Sequence, residues 1–429
     1  EERQLEQFAN RGYDVLDKIR ALDPSVSLSM SIGIGRGART LREAQDMAEH
    51  ALDMAQGRGG DQAAEMTLDG FTFYGGVSHG VEKRSKVRSR LVADQLVKLI
   101  KEADHVVIMG HRMSDLDAIG AAEGVLRICK ICDVPAVIAV RRDATLAASL
   151  IDALCKAGQK DDFIDPKDAL PIISKRTLCI VVDTYQAGLV ESKDILEKCG
   201  KVAVIDHHRK GVGYIENPAL VCHEPYSSSA SELVTELLQY VGERDDKPNR
   251  VEAEGLLAGI LLDTQDFTLH TGVRTFEAAA ALRRYGAETE RVRRLFDVTM
   301  VEYNAKADLV EKAQMYKNCA ISIGGEVAPE ARVAIAQAAN DLLRIQGVDA
   351  SFVAVQVGNG VNVSARSMGA VNVQVIMESL GGGGHQTMAA AQLKHITPQA
   401  ARSRIQDAID QYYLSQKKTT PEARPAKGE

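Results

Sequence analysis

The sequence of 429 residues is long enough for about three domains, at roughly 150 residues per domain. Apolar residues make up 45% and charged residues 26%, which is the composition of a folded globular protein and excludes disorder over most of the chain. The formal net charge of −7 argues against sequence-independent binding of long nucleic acid, and the lack of an apolar run of about 20 residues predicts a soluble chain without a membrane-spanning helix.

Residues 1–64 predict a partial α/β segment. A helical pattern over residues 5–22 is followed by a strand over residues 26–34 and a second helix over residues 41–55. Residues 65–100 are predicted to form a glycine-containing connector with aromatic side chains, followed by a basic linker helix.

Residues 101–317 predict an α/β domain built on a parallel sheet. Its predicted strands are rich in valine and isoleucine: His105–Met109, Ala136–Val140, Leu178–Asp183 and Val202–Asp206. Helical patterns follow at residues 116–130, 145–157 and 188–199, and residues 229–317 are mainly helical. Because the strands are continuously apolar and alternate with helices, we expect a parallel sheet covered on both faces.

Residues 318–416 predict a smaller, mixed α/β domain. Its predicted strands are Ala320–Ile323, Ser351–Val357 and Val361–Ala365, and its predicted helices span residues 329–345, 371–380 and 398–414. The composition of residues 417–429 predicts a disordered tail.

Acidic and imidazole side chains follow the predicted strands of the larger domain at the point where each strand ends. They are His111, Asp115, Asp117, Asp183, Asp206, His207 and His208, and Asp263 ends an apolar helical stretch further along. The carboxyl ends of parallel strands meet at one edge of a sheet, so these groups should gather there. Taken singly, an Asp after a strand is more often a helix N-cap, but four such elements in this order favour a shared site.

Several carboxylates cannot share a partly desolvated crevice without compensation, because their like charges repel. A divalent ion offsets this repulsion between the carboxylates, and two divalent ions offset it more fully. Oxygen ligands mixed with imidazoles, without a thiolate, suit Mn²⁺ or Mg²⁺ more than structural zinc. Two such ions are the usual apparatus for hydrolysing a phosphate ester, so the pattern predicts a two-metal phosphoesterase.

The smaller domain carries a glycine run that suggests a second binding region. Gly381–Gly384 follows a predicted helix and precedes His385. Glycine permits close backbone approach and leaves amide groups free for an anion, so we expect Gly382, Gly383, Gly384 and His385 to contact a ligand. The alternatives are a flexible linker and a surface histidine.

Strand alternation places Asn362, Ser364 and Arg366 on one face of a predicted strand. Ser364 and Arg366 suit a phosphate or an adenine edge, since arginine offers a rigid fork of donors. The alternative is a salt bridge on an edge strand.

Two further groups are weaker candidates. Ser229-x-x-Glu232 fits a helix capping box, which leaves Ser227 and Ser228 as phosphate neighbours. Arg274 follows Asp263 closely enough in sequence to reach the crevice.

These motifs resemble a known superfamily. The order of His111-x-x-x-Asp115-x-Asp117, Asp183, Asp206-His207-His208 and Asp263 resembles the DHH phosphoesterases, named for their Asp-His-His triplet. The run from Gly381 to His385 looks like the motif of the DHH-associated domain, and residues 1–64 resemble the second half of a GGDEF domain without its signature loop. The whole arrangement resembles the membrane-anchored GGDEF/DHH cyclic-di-AMP phosphodiesterases of bacteria.

The resemblance implies a role for each site residue. One manganese ion would be held by His111, Asp115 and Asp183, and a second by Asp117, Asp183, His207 and Asp263. Asp206 would orient a ligand and His208 would face the substrate phosphate. Mg²⁺ or another divalent ion is an alternative to manganese.

The resemblance also implies a reaction and a setting. The reaction would be hydrolysis of cyclic di-AMP to 5′-pApA in the control of a second messenger. A homodimer is expected, attached to the cytoplasmic face of the cell membrane through an N-terminal region that this chain does not contain. The alternatives are hydrolysis of linear dinucleotides or short RNA, and a nucleotide-binding regulator without catalysis.

Overall fold

The computed structural model describes residues 2–22, 29–57, 60–68, 70–75, 86–208, 213–243, 246–326, 332–384 and 387–419. Contacts divide the chain into two compact units, Glu1–Phe296 and Asp297–Glu429. Among the described residues, no helix is both long enough and apolar enough to cross a membrane. The domain boundaries drawn from the sequence stay predictions.

The first part of unit 1 is a small three-stranded sheet with helices. Its elements are α1 (Glu2–Asn10), α2 (Val15–Arg20), β1 (Ile32–Gly35), α3 (Leu41–Gly57), β2 (Gln62–Thr67) and β3 (Gly70–Gly75). The strand order is β1-β2-β3, with β1 parallel and β3 antiparallel to β2. The helix predicted over residues 5–22 is two helices, because Gly12 and Tyr13 adopt positive φ angles between them.

The connector predicted from residue 65 is wrong as far as Gly75, because residues 62–75 form a hairpin that completes this sheet. Its central strand buries Ala63 and Ala64 and pairs the Glu65 carboxylate with Arg36 at 2.8 Å. Small and polar side chains of this kind give no apolar alternation, so the sequence pattern missed the strand. Residues 76–85 of the predicted connector lie outside the described residues.

The rest of unit 1 alternates strands and helices. Its elements are α4 (Lys86–Glu102), β4 (His105–Met109), α5 (Leu116–Ile131), β5 (Ala136–Ala139), α6 (Ala148–Leu154), β6 (Phe163–Ile164), α7 (Pro166–Ala169), β7 (Thr177–Val182), α8 (Lys193–Lys198), β8 (Lys201–Asp206), β9 (Leu220–His223), α9 (Ala230–Leu238), α10 (Arg250–Thr264), α11 (Val273–Arg284) and α12 (Thr289–Arg294).

The six strands β6-β5-β4-β7-β8-β9 form one all-parallel sheet, as the sequence predicted. Its central strand β7 is buried along its whole length, because separate apolar cores cover the two faces. The chain leaves β4 for β5 on one side and returns to β7 on the other. In such sheets the crevice for ligands lies at this switch point, beyond the carboxyl ends of the strands.

Unit 2 is a mixed α/β fold, also as predicted. Its elements are α13 (Met300–Glu311), β10 (Gln314–Tyr316), β11 (Cys319–Glu326), α14 (Arg332–Leu342), β12 (Ala350–Val357), β13 (Gly360–Ser367), α15 (Val373–Ser379), β14 (Gly383–Gly384), β15 (Met388–Lys394) and α16 (Pro398–Thr419). The strand order is β10-β11-β12-β13-β15-β14. Leu309 of α13 lies in the core formed with α14, so residues before 318 pack within this unit.

The tail predicted from residue 417 is helical in its first residues, because α16 continues to Thr419. Residues 420–429 lie outside the described residues.

Candidate metal centre

The carboxyl edge of the parallel sheet carries the predicted ligands. His111 lies in the loop after β4, and Asp115 caps the N-terminus of α5 by accepting hydrogen bonds from the backbone N–H groups of Asp117 and Ala118 at 3.0 and 3.1 Å. Asp183 directly follows β7 with a φ angle of +58°. A non-glycine residue in this left-handed region is strained, and such strain is concentrated at functional sites.

The remaining groups come from β8 and α10. Asp206 is the last residue of β8, and His207 and His208 follow it. Asp263 lies in the last turn of α10, which is the helix that the apolar stretch before it predicted. Helix and strand ends thus bring together residues that are far apart in the sequence.

Potential ligand atoms form overlapping groups in which all atoms lie within 4.8 Å of one another: His111, Asp115 and Asp183; Asp117, Asp183, His207 and Asp263; and Asp183, His207 and His208. Asp183 belongs to every group. Its two carboxylate oxygens each lie 3.4 Å from a different histidine nitrogen, Oδ2 from His111 Nε2 and Oδ1 from His207 Nε2. The shared carboxylate could therefore bridge two ions.

Burial and neighbouring charges shift the pKa values of His111, Asp117 and Asp183 in this cluster. Burial lowers the pKa of the His111 imidazole, but Asp115 and Asp183 outweigh burial and raise it to about 11. Burial raises the pKa of Asp183, but the neighbouring imidazoles of His111 and His207 hold it well below its usual value. For Asp117, burial and then the charge of Asp183 raise the pKa. The cluster therefore contains more negative charge than its own histidines can neutralise.

Asp206 and His208 form a pair beside the cluster. The Nδ1 atom of His208 lies 2.9 Å from Oδ1 of the fully buried Asp206. Burial and the neighbouring His207 lower the pKa of His208, but the carboxylates of Asp206 and Asp183 outweigh them and raise it. The pair is arranged to hold one imidazole tautomer in a fixed orientation.

Two buried atoms in the cluster have no hydrogen-bond partner: Asp183 Oδ1 and His207 Nε2. Buried polar atoms are normally satisfied, so two unpartnered ligand atoms that lie near one another are suited to a shared cation. The donor set of oxygen and imidazole nitrogen is also suitable for a divalent metal. The acidic and histidine groups could therefore bind metal.

His223 is a residue of this region that the sequence reasoning missed. It pairs with Asp206 across β8 and β9, and its Nε2 atom lies 2.5 Å from the backbone oxygen of His208. His223 therefore helps to fix the backbone conformation of the Asp206-His207-His208 segment. The only available signal was the short apolar run before it, which is too brief to predict a strand.

Ser364 and Arg366 lie on one face of β13 with Asn362, as the alternation predicted, because residues 360, 362, 364 and 366 are the less buried ones. A guanidinium nitrogen of Arg366 donates to Ser364 Oγ at 3.1 Å, while Arg366 Nε and Asn362 Oδ1 are buried without a hydrogen-bond partner. Burial lowers the pKa of Arg366 to about 10. The salt-bridge alternative has no support in the contacts of the described residues, so this face suits an anionic or nucleobase ligand.

The glycine run lies at the sheet edge of unit 2. Gly383 and Gly384 form β14 and pair with Ala390 and Ala389 of β15. A Cβ on Gly382 would lie 2.2 Å from the backbone oxygen of Ala390, so close backbone approach requires glycine here. His385, which was predicted to contact the ligand, lies outside the described residues.

The two weaker sequence candidates have structural partners. The hydroxyls of Ser227 and Ser228 are buried and donate to Glu232 at 2.8 and 2.6 Å, so their protons are engaged by a carboxylate. Their place beside a phosphate stays a prediction. Arg274 donates two hydrogen bonds to Glu236 at 2.7 and 2.6 Å, so its guanidinium is engaged by a carboxylate of α9.

Three family models match the chain. Residues 105–260 match the N-terminal domain of the DHH family, residues 328–414 match the DHHA1 domain, and residues 1–69 match the GGDEF domain of the cyclic-di-AMP phosphodiesterase GdpP-like family. The chain therefore carries an N-terminal domain of the DHH family, a DHHA1 domain and a GdpP-like GGDEF domain.

Two curated relatives share this sequence over most of its length. The chain is 44% identical over 417 residues to the cyclic-di-AMP phosphodiesterase GdpP of Geobacillus thermodenitrificans, and 41% identical over 421 residues to the protein of that name from Bacillus subtilis. Each match covers 95% of this chain and 63% of the relative, so the chain spans just under two thirds of their length.

A solved structure shares the fold. It is an exopolyphosphatase-related protein from Bacteroides fragilis, with a TM-score of 0.65 and 20% identity. The match covers 76% of this chain and 98% of that one. At this identity the likeness establishes the fold alone.

Proposed function

We propose that this chain is the catalytic part of a phosphodiesterase that hydrolyses cyclic di-AMP to 5′-pApA with two manganese ions. The observation that carries the proposal is a shared carboxylate, Asp183, between two groups of ligand atoms, in a chain 41–44% identical to cyclic-di-AMP phosphodiesterases. In the reaction, water adds to phosphorus, the bond to the 3′ oxygen breaks, and that oxygen takes a proton.

In this proposal, separate residues bind the metal ions and the substrate phosphate. His111, Asp115 and Asp183 would hold one ion, and Asp117, Asp183, His207 and Asp263 the other. Two bound ions lower the pKa of water and stabilise charge on the attacking and leaving oxygens. Asp206 accepts a hydrogen bond from Nδ1 of His208, and the neighbouring carboxylates raise the pKa of this imidazole, so the protonated ring would donate from Nε2 to a phosphate oxygen.

The substrate-binding role belongs to unit 2 in this proposal. The Ser364–Arg366 face offers donors to a phosphate or a nucleobase, and the glycine segment with His385 would contribute further contacts. The support is the buried, unpartnered Arg366 Nε, since a desolvated guanidinium without a carboxylate partner favours an anion.

The test is a turnover assay with Mn²⁺ that compares cyclic di-AMP, cyclic di-GMP and pApA, with the products separated by chromatography. We expect cyclic di-AMP to give pApA, and Asp263→Ala to reduce turnover at least a hundredfold. The matched control is Asp194→Ala, which removes an exposed carboxylate of α8. Undiminished turnover by the Asp263 variant would remove that residue from the site.

A second candidate is hydrolysis of linear dinucleotides to mononucleotides. It is favoured by 27% identity over 341 residues to the bifunctional oligoribonuclease and PAP phosphatase NrnA of Thermus thermophilus, which covers 76% of this chain and 95% of that protein. Faster turnover of pApA than of cyclic di-AMP in the same assay would select this candidate. No turnover of either, with ligand binding retained, would select a regulator.

The proposal extends to the setting of the whole protein. Because the relatives are longer than this chain, we place membrane attachment in a region outside it, with the catalytic part on the cytoplasmic face. We also propose a homodimer, which light scattering of the purified chain would test.

A further inference from the structure

We propose that Glu232 and Gly259 are positioning residues that fix the carboxylate of Asp117 in the metal centre. Neither residue belongs to the ligand groups, and both act through Asp117. The inference rests on the proposed metal-binding role of Asp117.

The N-terminus of α9 holds both oxygens of Asp117. The backbone N–H of Ala230 donates to Oδ2 at 2.7 Å, and that of Ser231 donates to Oδ1 at 2.8 Å. The Asp117 side chain is fully buried. An ionised carboxylate has about four lone-pair positions, so two backbone donors fix its plane and leave one position on each oxygen for other partners. The Nε2 atom of His207 lies 3.9 Å from Oδ2 of Asp117, on the side of these remaining lone-pair positions.

Glu232 fixes the segment that presents these two amides. Its buried carboxylate accepts hydrogen bonds from Ser227 Oγ at 2.8 Å, Ser228 Oγ at 2.6 Å and Thr275 Oγ1 at 2.7 Å. The serines lie just before α9 and Thr275 lies in α11. Since one desolvated carboxylate ties the loop to a neighbouring helix, α9 cannot move relative to Asp117 without leaving buried donors unpaired.

Gly259 lets α10 pass against the other side of Asp117. A Cβ at this position would lie 2.6 Å from Asp117 Oδ1, 2.8 Å from Asp117 Cα and 2.3 Å from Ser231 Oγ. Such distances are far below van der Waals contact, so a side chain here must displace Asp117 or the start of α9. Asp263 lies one turn further along the same helix. The packing of α10 against Asp117 therefore also sets the distance between the proposed ligands Asp117 and Asp263.

The chain offers a matched pair of glycines on α10 for the test. Gly255→Ala adds a Cβ whose three nearest neighbours would be side-chain atoms of Leu150, the nearest at 3.1 Å. Gly259→Ala makes the same chemical change one turn later, against Asp117. Both gain helix propensity equally, so a difference between them reports the contact with Asp117.

The measurement is Mn²⁺ affinity by isothermal titration calorimetry on the full chain, with thermal unfolding in chelator to establish folding. We expect Gly259→Ala to bind Mn²⁺ at least tenfold more weakly than wild type, and Gly255→Ala to bind within twofold of wild type. If Gly259→Ala unfolds cooperatively yet binds as wild type, the positioning role is refuted.

Glu232→Gln tests the same idea without steric change. The amide nitrogen cannot accept from Ser228 or Thr275, so we expect Mn²⁺ affinity to fall at least fivefold in a folded variant; wild-type affinity would contradict the role of Glu232. Should Gly259→Ala fail to fold, Glu232→Gln decides the outcome. A wild-type chain that binds no Mn²⁺ would instead overturn the proposed function, and this inference with it.

Discussion

Glu123 shows how much a single buried carboxyl can govern stability outside the metal centre. It is fully buried in α5, and burial, followed by the negative charge of Glu252, raises its pKa to about 8. Gln159 donates to Glu123 Oε1, while Glu123 Oε2 and Gln159 Oε1 are buried without hydrogen-bond partners. A charge on this carboxyl would be desolvated and would lie near the charge of Glu252, so the neutral form suits this environment.

We therefore expect Glu123→Gln to stabilise the protein increasingly as the pH rises from 5 to 8. Below the unfolded-state pKa the carboxyl is protonated in both states. As the pH rises towards 8, only the unfolded state loses the proton, so wild-type stability falls through this window. The pH-dependent gain should be on the order of 4 kcal/mol at pH 8, since burial raises the pKa by roughly three units and each unit corresponds to about 1.4 kcal/mol.

Urea unfolding in chelator at pH 5 and pH 8 measures this difference. The control is Glu197→Gln, which replaces an exposed carboxyl on α8 and should change the free energy of unfolding at neither pH. Equal stability of Glu123→Gln and wild type at both pH values would show that Glu123 is not held neutral by burial.

At the scale of elements, the edge of the unit 2 sheet depends on one glycine and not on its neighbour. Gly384 has a φ angle of +149°, and a Cβ there would lie 2.4 Å from the backbone oxygen of Met388. A Cβ on Gly383 would meet nothing within 4 Å. The two residues form the same short strand, yet only Gly384 is constrained by both backbone conformation and space.

Gly384→Ala should therefore lower the thermal stability of unit 2, by about 1–3 kcal/mol, since strain of this kind costs that amount. Gly383→Ala should unfold like wild type. Calorimetric unfolding of the two variants gives the comparison, and equal unfolding temperatures would contradict the described strand pairing.

The elements themselves were predictable where apolar patterning was strong. The valine- and isoleucine-rich strand His105–Met109 has the predicted bounds, and the parallel sheet follows from such runs. The short strand β9 was missed because four residues give no periodicity. The helix predicted over residues 145–157 begins only at Ala148, and it continues beyond Leu154 as a π-helical stretch, Cys155–Gln159. Local pattern does not encode the tertiary packing that decides such cases.

The candidate site was predictable because carboxylates after parallel strands share one edge. What the sequence could not supply is the support around them: the left-handed backbone of Asp183 and the α9 amides on Asp117. Both depend on contacts between residues distant in the chain, which no spacing rule contains.

At the scale of the whole molecule, the N-terminal sheet is a complete small element. Strands β1, β2 and β3 pair among themselves, and Tyr13, Leu16, Ile34 and Ala63 form a core of their own. A cut after residue 64 would therefore divide β2, whereas a cut after residue 85 removes the sheet intact.

We expect residues 86–429 to retain at least half of the Mn²⁺-dependent turnover, because every proposed ligand lies within them. Residues 65–429 should aggregate more readily, since the hairpin loses β1 and α3. Turnover and size-exclusion chromatography of the two truncated chains test this, and a folded but inactive 86–429 chain would place part of catalysis in the N-terminal segment.

Asp263 ends its helix in an unfavourable position, because the carbonyl end of α10 already carries partial negative charge. Beyond Thr264, the residues Gln265, Asp266 and Phe267 all adopt positive φ angles. A cation bound at Asp263 would neutralise the partial charge at that helix end and stabilise the turn formed by residues 265–267. Binding of the ion would then be coupled to local folding. At low ion concentration, the end of α10 would become less stable, and the proposed activity would also be lost.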